Sequence, residues 1–303
     1  MSDQLDCLVI GGGPAGLTAA IYLARFHLSV TVMDAGHGRA LQIPCTHNHA
    51  GFPEGISGRE LLSRMRSQAI RYGTWIVDRR VEALTHDGSG FAAHGQDVDI
   101  KARSVLLATG VTNRRPPMTD ALHAEALMLG RLRYCPVCDG YEVTRQDVAV
   151  IGSDAGAANE CEFLRSYTAL VSLVLDGTEG LAAPLYERLA GLGVRIIGGP
   201  AQDFALEEDG LSLSSAAGRL RFDTVYPALG SVVHSDLATA LGAAVTDDGC
   251  IQVDRHQRTS IAGLYAAGDV VIGLDQISHA MGQAGVAATA IRNDLAASRP
   301  QLR

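Results

Sequence analysis

Short apolar runs alternate along the chain with longer segments of helical spacing. Runs typical of buried strands cover residues 6–10, 28–33, 104–110, 147–151 and 170–175. Apolar side chains recur with helical spacing in other segments, at 17–26, 58–72, 158–167 and 278–295. Continuous apolar strands that alternate with helices are typical of parallel sheets covered on both faces. The pattern therefore predicts an α/β fold.

The first strand–helix–strand unit carries a glycine-rich turn. Gly11, Gly13 and Gly16 occupy positions one, three and six of a Gly-x-Gly-x-x-Gly pattern, and Asp34 ends the next strand. The first glycine permits a tight turn, the second lets backbone amides reach a pyrophosphate, and the third lets helix and strand pack closely. The helix N-terminus also offers N–H groups to phosphates. The unit predicts dinucleotide binding, and the alternative is a bare glycine turn.

A second unit of this kind begins at residue 147, but its turn departs from the pattern. Gly152 occupies the first glycine position, whereas Asp154 stands where the second glycine is expected. A side chain there blocks the approach of a ligand to the backbone, and its carboxylate repels a pyrophosphate. Two nucleotide-type units in one chain indicate an ancient duplication.

Length, composition and charge narrow the class of protein. The 303 residues suggest about two domains, and 47% hydrophobic residues supply a large core. A net charge of −8 argues against a nucleic acid or an anionic membrane as partner. The chain lacks an apolar run of about 18 residues that would span a membrane. Because the N-terminal segment also lacks the features of a signal peptide, a cytoplasmic protein is expected.

The six cysteines include one close pair, Cys135-Pro-Val-Cys138. Two intervening residues permit a small disulfide loop, and such motifs commonly lower a thiol pKa. Asp139 follows directly and can deliver and remove protons. The motif predicts dithiol–disulfide chemistry, and the alternative is half of a zinc site with His47 and His49 as further ligands. The isolated cysteines are interpreted as packed thiols: Cys7, Cys45, Cys161 and Cys250. For Cys45 the alternative is a third redox-active thiol.

Four motifs together resemble the low-molecular-weight thioredoxin reductases over essentially the whole chain. They occur in that family's order and spacing: Gly11-x-Gly-x-x-Gly16, Ala108-Thr-Gly110, Cys135-x-x-Cys-Asp139 and Ala267-Gly-Asp269. The resemblance implies two Rossmann-like, three-layer α/β nucleotide-binding domains, the second inserted in the first. Residues 1–113 and 233–303 would form the FAD-binding domain. Residues 114–232 would form the inserted domain, which carries the cysteine pair and a degenerate NAD(P)-type site.

The resemblance also implies roles for individual residues. FAD would be bound by residues of the first glycine turn and of later segments: Gly11, Gly13, Pro14, Ala15, Gly16, Asp34, Ala108, Thr109, Gly110, Gly268, Asp269, Gln276 and Ile277. Among these, Asp269 would hold the ribityl chain, and Gln276 and Ile277 would lie near the isoalloxazine ring. Cys138 would lie next to the flavin, Cys135 would attack the external disulfide, and Asp139 would be the acid–base catalyst.

The second nucleotide unit departs from the family at the cofactor's 2′-phosphate. The family normally has a basic cluster there, but this chain has Asp176 and lacks arginine between Arg165 and Arg188. Asp176 repels a 2′-phosphate, although it suits a ribose 2′-hydroxyl, so the sequence argues against NADPH. Three interpretations stay open: NADH bound through Asp176, a different ligand such as a second flavin, or electrons that reach FAD from a donor protein such as ferredoxin.

The expected function is that of an FAD-dependent dithiol/disulfide oxidoreductase of the thioredoxin reductase type, and family analogy adds a homodimer. The expected partner is a thioredoxin-like protein or a small disulfide or dithiol substrate. One alternative is a dithiol oxidase that forms a disulfide in a small molecule and passes electrons to oxygen. The other is a non-catalytic flavin redox sensor, although the retained Asp139 favours an enzyme. His47, His49 and His279 are either proton carriers near the flavin or hydrogen-bonded loop histidines.

Overall fold

The computed structural model describes residues 4–298, which form two compact units. Unit 1 comprises residues 4–41, 57–112 and 233–298, and unit 2 comprises residues 42–56 and 113–232. The α/β fold predicted from the sequence is confirmed, with a Rossmann-like sheet in each unit. No helix within the described residues is long and apolar enough to cross a membrane.

Unit 1 is built on a mainly parallel sheet. Its described strands are β1 (Leu5–Ile10), β2 (Val30–Met33), β3 (Trp75–Val77), β4 (Ala83–His86), β5 (Phe91–Gly95), β6 (Val98–Leu107) and β16 (Leu264–Ala266). Their order is β3-β2-β1-β6-β5-β4, and β16 pairs with the C-terminal half of β6. The strands β3, β2, β1, β6 and β16 run parallel, whereas β4 and β5 are antiparallel additions.

The helices of unit 1 are α1 (Pro14–Arg25), α2 (Gly58–Arg71), α7 (Asp236–Ala240) and α8 (Ile277–Ser298). Strands β1 and β2 are almost completely buried, because apolar side chains on both faces pack into two hydrophobic clusters. One cluster joins β1 to α1 and to the alanine-rich face of α8. Small alanine side chains let these helices approach closely, which fixes the end of the sheet where the glycine turn lies.

Unit 2 repeats the parallel α/β arrangement on a smaller scale. Its described strands include the parallel set β8 (Val148–Ile151), β9 (Val171–Val174), β10 (Arg195–Ile197) and β14 (Thr224–Pro227), in the order β10-β9-β8-β14. An antiparallel sheet is made of β11 (Gln202–Glu207), β12 (Gly210–Ser215) and β13 (Gly218–Phe222). The helices are α3 (Asp120–Met128), α4 (Pro136–Asp139), α5 (Ala155–Leu164) and α6 (Ala183–Gly191). The short strands β7 (Val111–Asn113) and β15 (Ser231–Val233) pair with each other.

The structure adjusts the predicted element boundaries in ways that have local causes. Helix α1 begins at Pro14 rather than at residue 17, because proline has the backbone angle of a first helical position and loses no needed N–H bond there. Strand β6 is longer than predicted and begins at Val98. The loop 42–56, which the sequence analysis includes in the segment 1–113, is grouped with unit 2.

Candidate functional site

The turn between β1 and α1 and the first turn of α1 each require glycine at one position. Gly11 has a positive φ of 112°, and a Cβ atom on it would collide with the carbonyl oxygen of Ala108. A Cβ on Gly16 would collide with the carbonyl oxygen of Gly11. The local backbone therefore packs as tightly as the sequence pattern predicts.

Gly13 differs from its neighbours because it faces open space. No described atom lies within 4 Å of an ideal Cβ at Gly13. Gly13 is also the N-cap residue of α1, so no side chain caps this helix end in the described structure, and Pro14 follows it. The N–H groups of the first turn and the positive end of the helix dipole are thus left for a ligand. This cradle fits a pyrophosphate.

Three further candidate segments end at the same edge of the sheet. The N–H of Ala108, just after β6, donates to the carbonyl of Ile10 at the end of β1 at 2.8 Å. Gly268, just after β16, packs so closely on the first turn of α1 that a Cβ there would lie 2.9 Å from the Cβ of Ala15. Asp34, just after β2, lies against Gly12. The carboxyl ends of parallel strands are where open α/β sheets bind ligands.

Thr109 and Gly110 are joined to a residue that the sequence analysis missed. The Thr109 hydroxyl donates to the His234 carbonyl at 2.6 Å, and the His234 N–H donates to the Gly110 carbonyl at 3.0 Å. The N–H of Gly268 similarly donates to Oε1 of Gln283 on α8 at 2.8 Å. His234 lies 125 residues from Thr109 and Gln283 lies 15 residues from Gly268, so no local motif marks either of them.

Asp269 has an ionic partner that the sequence did not reveal. Nη1 of Arg39 lies 3.2 Å from Oδ2 of Asp269 and 2.9 Å from Oδ2 of Asp275. Burial raises the pKa of Asp269 and the nearby Asp275 raises it further, whereas Arg39 lowers it. Arg39 thus favours the charged form of Asp269, the carboxylate for which the family resemblance implies contact with the ribityl chain.

Gln276 and Ile277 lie at the start of α8. The carbonyl of Gln276 accepts a hydrogen bond from the N–H of Ala280 at 2.9 Å, and Ile277 is the first residue of the helix. His279 follows in the first turn and lies beside Gly273.

The cysteine pair of unit 2 forms a disulfide at the start of a short helix. Cys135 is the N-cap of α4, and its sulfur is bonded to that of Cys138. The N–H of Cys138 donates to the carbonyl of Cys135 at 2.9 Å. Nδ2 of Asn48, from the loop 42–56, lies 3.5 Å from the carbonyl oxygen of Val137, between the two cysteines. No group of three or more His, Cys, Asp or Glu side chains within residues 4–298 is placed to hold a metal ion.

The isolated cysteines differ in their surroundings. Cys7 and Cys161 are buried, as predicted, and burial raises the pKa of each thiol to about 12. Cys45, predicted to be packed, is exposed, because it lies in the surface loop 42–56. In the same loop, the ring of His47 lies beside Gly55, and that of His49 stacks on Phe52 with a centroid separation of 5.6 Å.

Asp139, the last residue of α4, has a hydrogen bond to each carboxylate oxygen. Nη1 of Arg133 donates to Oδ2 at 2.9 Å, and the hydroxyl of Tyr226 donates to Oδ1 at 2.8 Å. Burial raises the pKa of Asp139, and the arginine and the two hydrogen bonds oppose that rise. Neither partner is marked by a motif in the sequence. Their pairing with Asp139 depends on the loop before α4 and on strand β14.

The glycine-type turn of unit 2 is closed where that of unit 1 is open. Asp154 is the N-cap of α5, and its carboxylate accepts a hydrogen bond from the N–H of Ala157 at 2.9 Å. The Ser153 hydroxyl donates to Asp176, at the end of β9. Arg188 of α6 donates to Oδ1 of Asn159 at 2.9 Å. An acidic side chain thus occupies the helix end that would receive a phosphate.

A family model described as pyridine nucleotide-disulphide oxidoreductase matches residues 5–284. The chain belongs to this family. It is 30% identical over 280 residues to the thioredoxin reductase of Mycolicibacterium smegmatis, a match that covers 88% of each protein. Its structure is similar to that of thioredoxin reductase from Streptococcus pyogenes MGAS5005, with a TM-score of 0.89 and 27% identity over 98% of this chain and 100% of that one. It is also 30% identical to the atypical thioredoxin reductase TRi from Desulfovibrio vulgaris Hildenborough, with a TM-score of 0.56 over 98% and 100% of the two chains.

This member of the pyridine nucleotide-disulphide oxidoreductase family is an enzyme, a flavin disulfide oxidoreductase. The family implies FAD and a nucleotide. The open cradle at Gly13 and the uncapped N-terminus of α1 fit the FAD pyrophosphate. When bound, FAD supplies two-electron chemistry. A disulfide such as that of unit 2 can be reduced by two electrons.

Proposed function

We propose that this enzyme passes two electrons between FAD and the Cys135–Cys138 pair. The pair then passes them to a disulfide of a thioredoxin-like protein or of a small molecule. The electrons reach FAD from a donor other than NADPH. The observation that carries the proposal on the donor is the Asp154 cap on α5. In unit 1 the corresponding helix end is uncapped. A pyrophosphate at the second turn would have to displace a carboxylate that already accepts a hydrogen bond from the helix N–H of Ala157.

Charge at the end of β9 supports the same proposal. A 2′-phosphate would face Asp176, which is held in place by Ser153. The first arginine after Arg165 is Arg188, and it is already engaged with Asn159. The two carboxylates, Asp154 and Asp176, repel an anion, so a phosphate binds weakly there. A reduced ferredoxin or another flavin is the class of donor that needs no nucleotide site here.

The roles within the chain follow from the two sites. The residues listed above around Gly13 and Asp269 bind FAD, and Cys138 exchanges electrons with it. Reduction of the disulfide takes two electrons and two protons and yields two thiols. Asp139 supplies one of these protons. Cys135 then attacks the substrate disulfide, a mixed disulfide forms, and Cys138 resolves it. The 30% identity to a relative described as a thioredoxin reductase supports a disulfide of the thioredoxin type as substrate.

Anaerobic mixing with reduced nicotinamide nucleotides tests the donor. We expect the flavin absorbance of the holoenzyme to persist with NADPH, whereas dithionite removes it and so shows that the flavin is competent. Rapid bleaching by NADPH would overturn the proposal. If NADH alone bleaches the flavin, the donor is a nucleotide after all, bound through Asp176.

Two variants of the cap sharpen this test. Asp154→Gly opens the turn and should increase the rate of flavin reduction by NADH or NADPH. It should cost only a few tenths of a kcal/mol in stability, since glycine is a tolerated N-cap residue. Asp154→Asn keeps the cap and removes the charge, so it separates repulsion from steric closure. If neither variant reacts with either nucleotide, the cap does not determine donor choice.

A further inference from the structure

Asp139 is fixed by two side chains that come from different elements. Arg133 lies in the segment before α4 and is itself anchored, because its Nε donates to the Gly130 carbonyl at 3.2 Å. Tyr226 is completely buried on β14, where it pairs in register with Val150 of β8. Each oxygen of the Asp139 carboxylate therefore meets a donor held by rigid surroundings.

The groups around Asp139 differ in charge. Glu142, in the 3-10 turn at 140–143, raises the pKa of Asp139, as burial does. Glu160 of α5 is a second carboxyl whose pKa is raised to about 7, mainly by burial, then by Asp154, and then by Asp139. The basic group that acts on Asp139 is Arg133, and the neutral donor is Tyr226. The arginine thus offsets a strongly unfavourable environment for the carboxylate anion.

The Tyr226 hydroxyl has two acceptors within reach, both on Asp139. It lies 2.8 Å from Oδ1 and 3.4 Å from the backbone carbonyl oxygen of the same residue. When the carboxylate is an anion, the hydroxyl donates to Oδ1. When Oδ1 is protonated, the Tyr226 hydroxyl can donate to the backbone carbonyl of Asp139 instead. Its oxygen then accepts a hydrogen bond from the protonated Oδ1, because a hydroxyl is both donor and acceptor. Tyr226 can accommodate both states without moving its ring.

We propose that Arg133 and Tyr226 are positioning residues that hold Asp139 beside the cysteine pair and let it alternate between acid and anion. The inference rests on the proposed function, in which Asp139 exchanges protons with the pair. On reduction, the S–S bond breaks and two electrons enter from the flavin. One of the two required protons leaves Asp139 for a sulfur, and solvent supplies the other. The resulting anion is held by Arg133 and Tyr226. On oxidation by a substrate disulfide, the anion takes that proton back.

The test follows the pair itself. The holoenzyme is reduced with dithiothreitol, which is then removed. Oxidised glutathione is added anaerobically, and the rate at which the disulfide re-forms is measured by thiol trapping and mass spectrometry. The measurement is repeated from about pH 5 to about pH 9. In Arg133→Gln, the inflection that Asp139 causes in the plot of rate against pH should move upward by about one to three pH units. Below the inflection the rate should fall about tenfold per unit, since the anion fraction falls in that proportion. Tyr226→Phe should give a smaller shift in the same direction. Arg133→Lys should have its inflection close to that of the wild type.

A second measurement reads the proton directly. Infrared difference spectra between the wild type and D139N report the protonated carboxyl of Asp139, and its titration should move upward in Arg133→Gln without any turnover. Arg131→Gln removes the same charge two residues earlier and should leave both readouts unchanged. In the D139N background, Arg133→Gln should add no further change to the profile.

The outcomes separate the two proposals. If the wild-type pair exchanges with glutathione but both profiles are the same in Arg133→Gln and Tyr226→Phe, the positioning role is wrong and the proposed function stands. A shift of equal size in D139N and wild-type backgrounds would also overturn it, because Arg133 would then act on the thiols. If the wild-type pair does not exchange at all, the proposed function fails, and the inference that rests on it fails as well.

Discussion

Arg39 joins two acidic residues of the proposed flavin site through long-range contacts. It lies between the carboxylates of Asp269 and Asp275, which would otherwise repel each other in a partly buried setting. All three side chains lie in unit 1. Removal of the guanidinium leaves Asp269 to carry its charge beside a like charge, so the neutral form becomes more favourable.

We therefore expect Arg39→Gln to weaken FAD binding by roughly tenfold, because a protonated or displaced Asp269 loses a strong acceptor for ligand hydroxyls. The flavin-to-protein ratio after dialysis and a fluorescence titration of the apoprotein with FAD measure the effect. Arg39→Lys keeps the charge and should bind FAD more tightly than Arg39→Gln. Equal affinity in wild type and Arg39→Gln would show that the ion pair does not support the cofactor.

At the scale of elements, two glycines at the start of α1 have different roles. Gly16 allows close packing, whereas Gly13 leaves space for a ligand. Gly16 packs against backbone, so the methyl group of Gly16→Ala has no room and should lower the stability by about 1–3 kcal/mol. Gly13 has no described atom within 4 Å of its ideal Cβ. Gly13→Ala should therefore leave the stability of the apoprotein nearly unchanged and weaken FAD binding about tenfold or more, because the methyl group fills the phosphate cradle.

Urea unfolding of the apoproteins and FAD titrations distinguish these variants. The comparison is informative because both carry the same chemical change three residues apart. If Gly13→Ala bound FAD as the wild type does, the pyrophosphate would not lie over Gly13. If Gly16→Ala were fully stable, the close approach of α1 to β1 would have to relax at little cost.

The sequence predicted those elements whose determinants are local. Alternating apolar strands and helices, and a glycine pattern whose positions each have a steric reason, specify the β1–α1 turn without any tertiary information. The departure at Asp154 is also visible in the glycine pattern, whereas its hydrogen bond to the N–H of Ala157 is visible only in the folded turn. By contrast, Tyr226 lies 87 residues from Asp139 and Arg39 lies 230 residues from Asp269. Such contacts depend on how the strands are ordered, and nothing in the local pattern marks them.

At the scale of the whole molecule, the two units share a strand–turn–helix arrangement but differ at the N-terminus of its helix. In unit 1 the end of α1 is open and positively polarised. In unit 2 the end of α5 is closed by Asp154, and the unit carries the disulfide instead. Electrons that enter through the flavin of the first unit therefore leave through the thiols of the second, in the proposed function.

This division of labour predicts the behaviour of a single cysteine variant. Anaerobic dithiothreitol should reduce the flavin of the wild type, because the dithiol exchanges with the Cys135–Cys138 disulfide and the reduced pair passes its electrons on. Cys138→Ser cannot form the disulfide, so the rate should fall by roughly two orders of magnitude or more. Dithionite, which needs no thiol, should still bleach the flavin of the variant. Cys45→Ser, which removes an exposed thiol, is the matched control and should behave as the wild type does. If dithiothreitol reduced the flavin of Cys138→Ser at the wild-type rate, electrons would bypass the pair, and the disulfide of unit 2 would lose its place in the reaction.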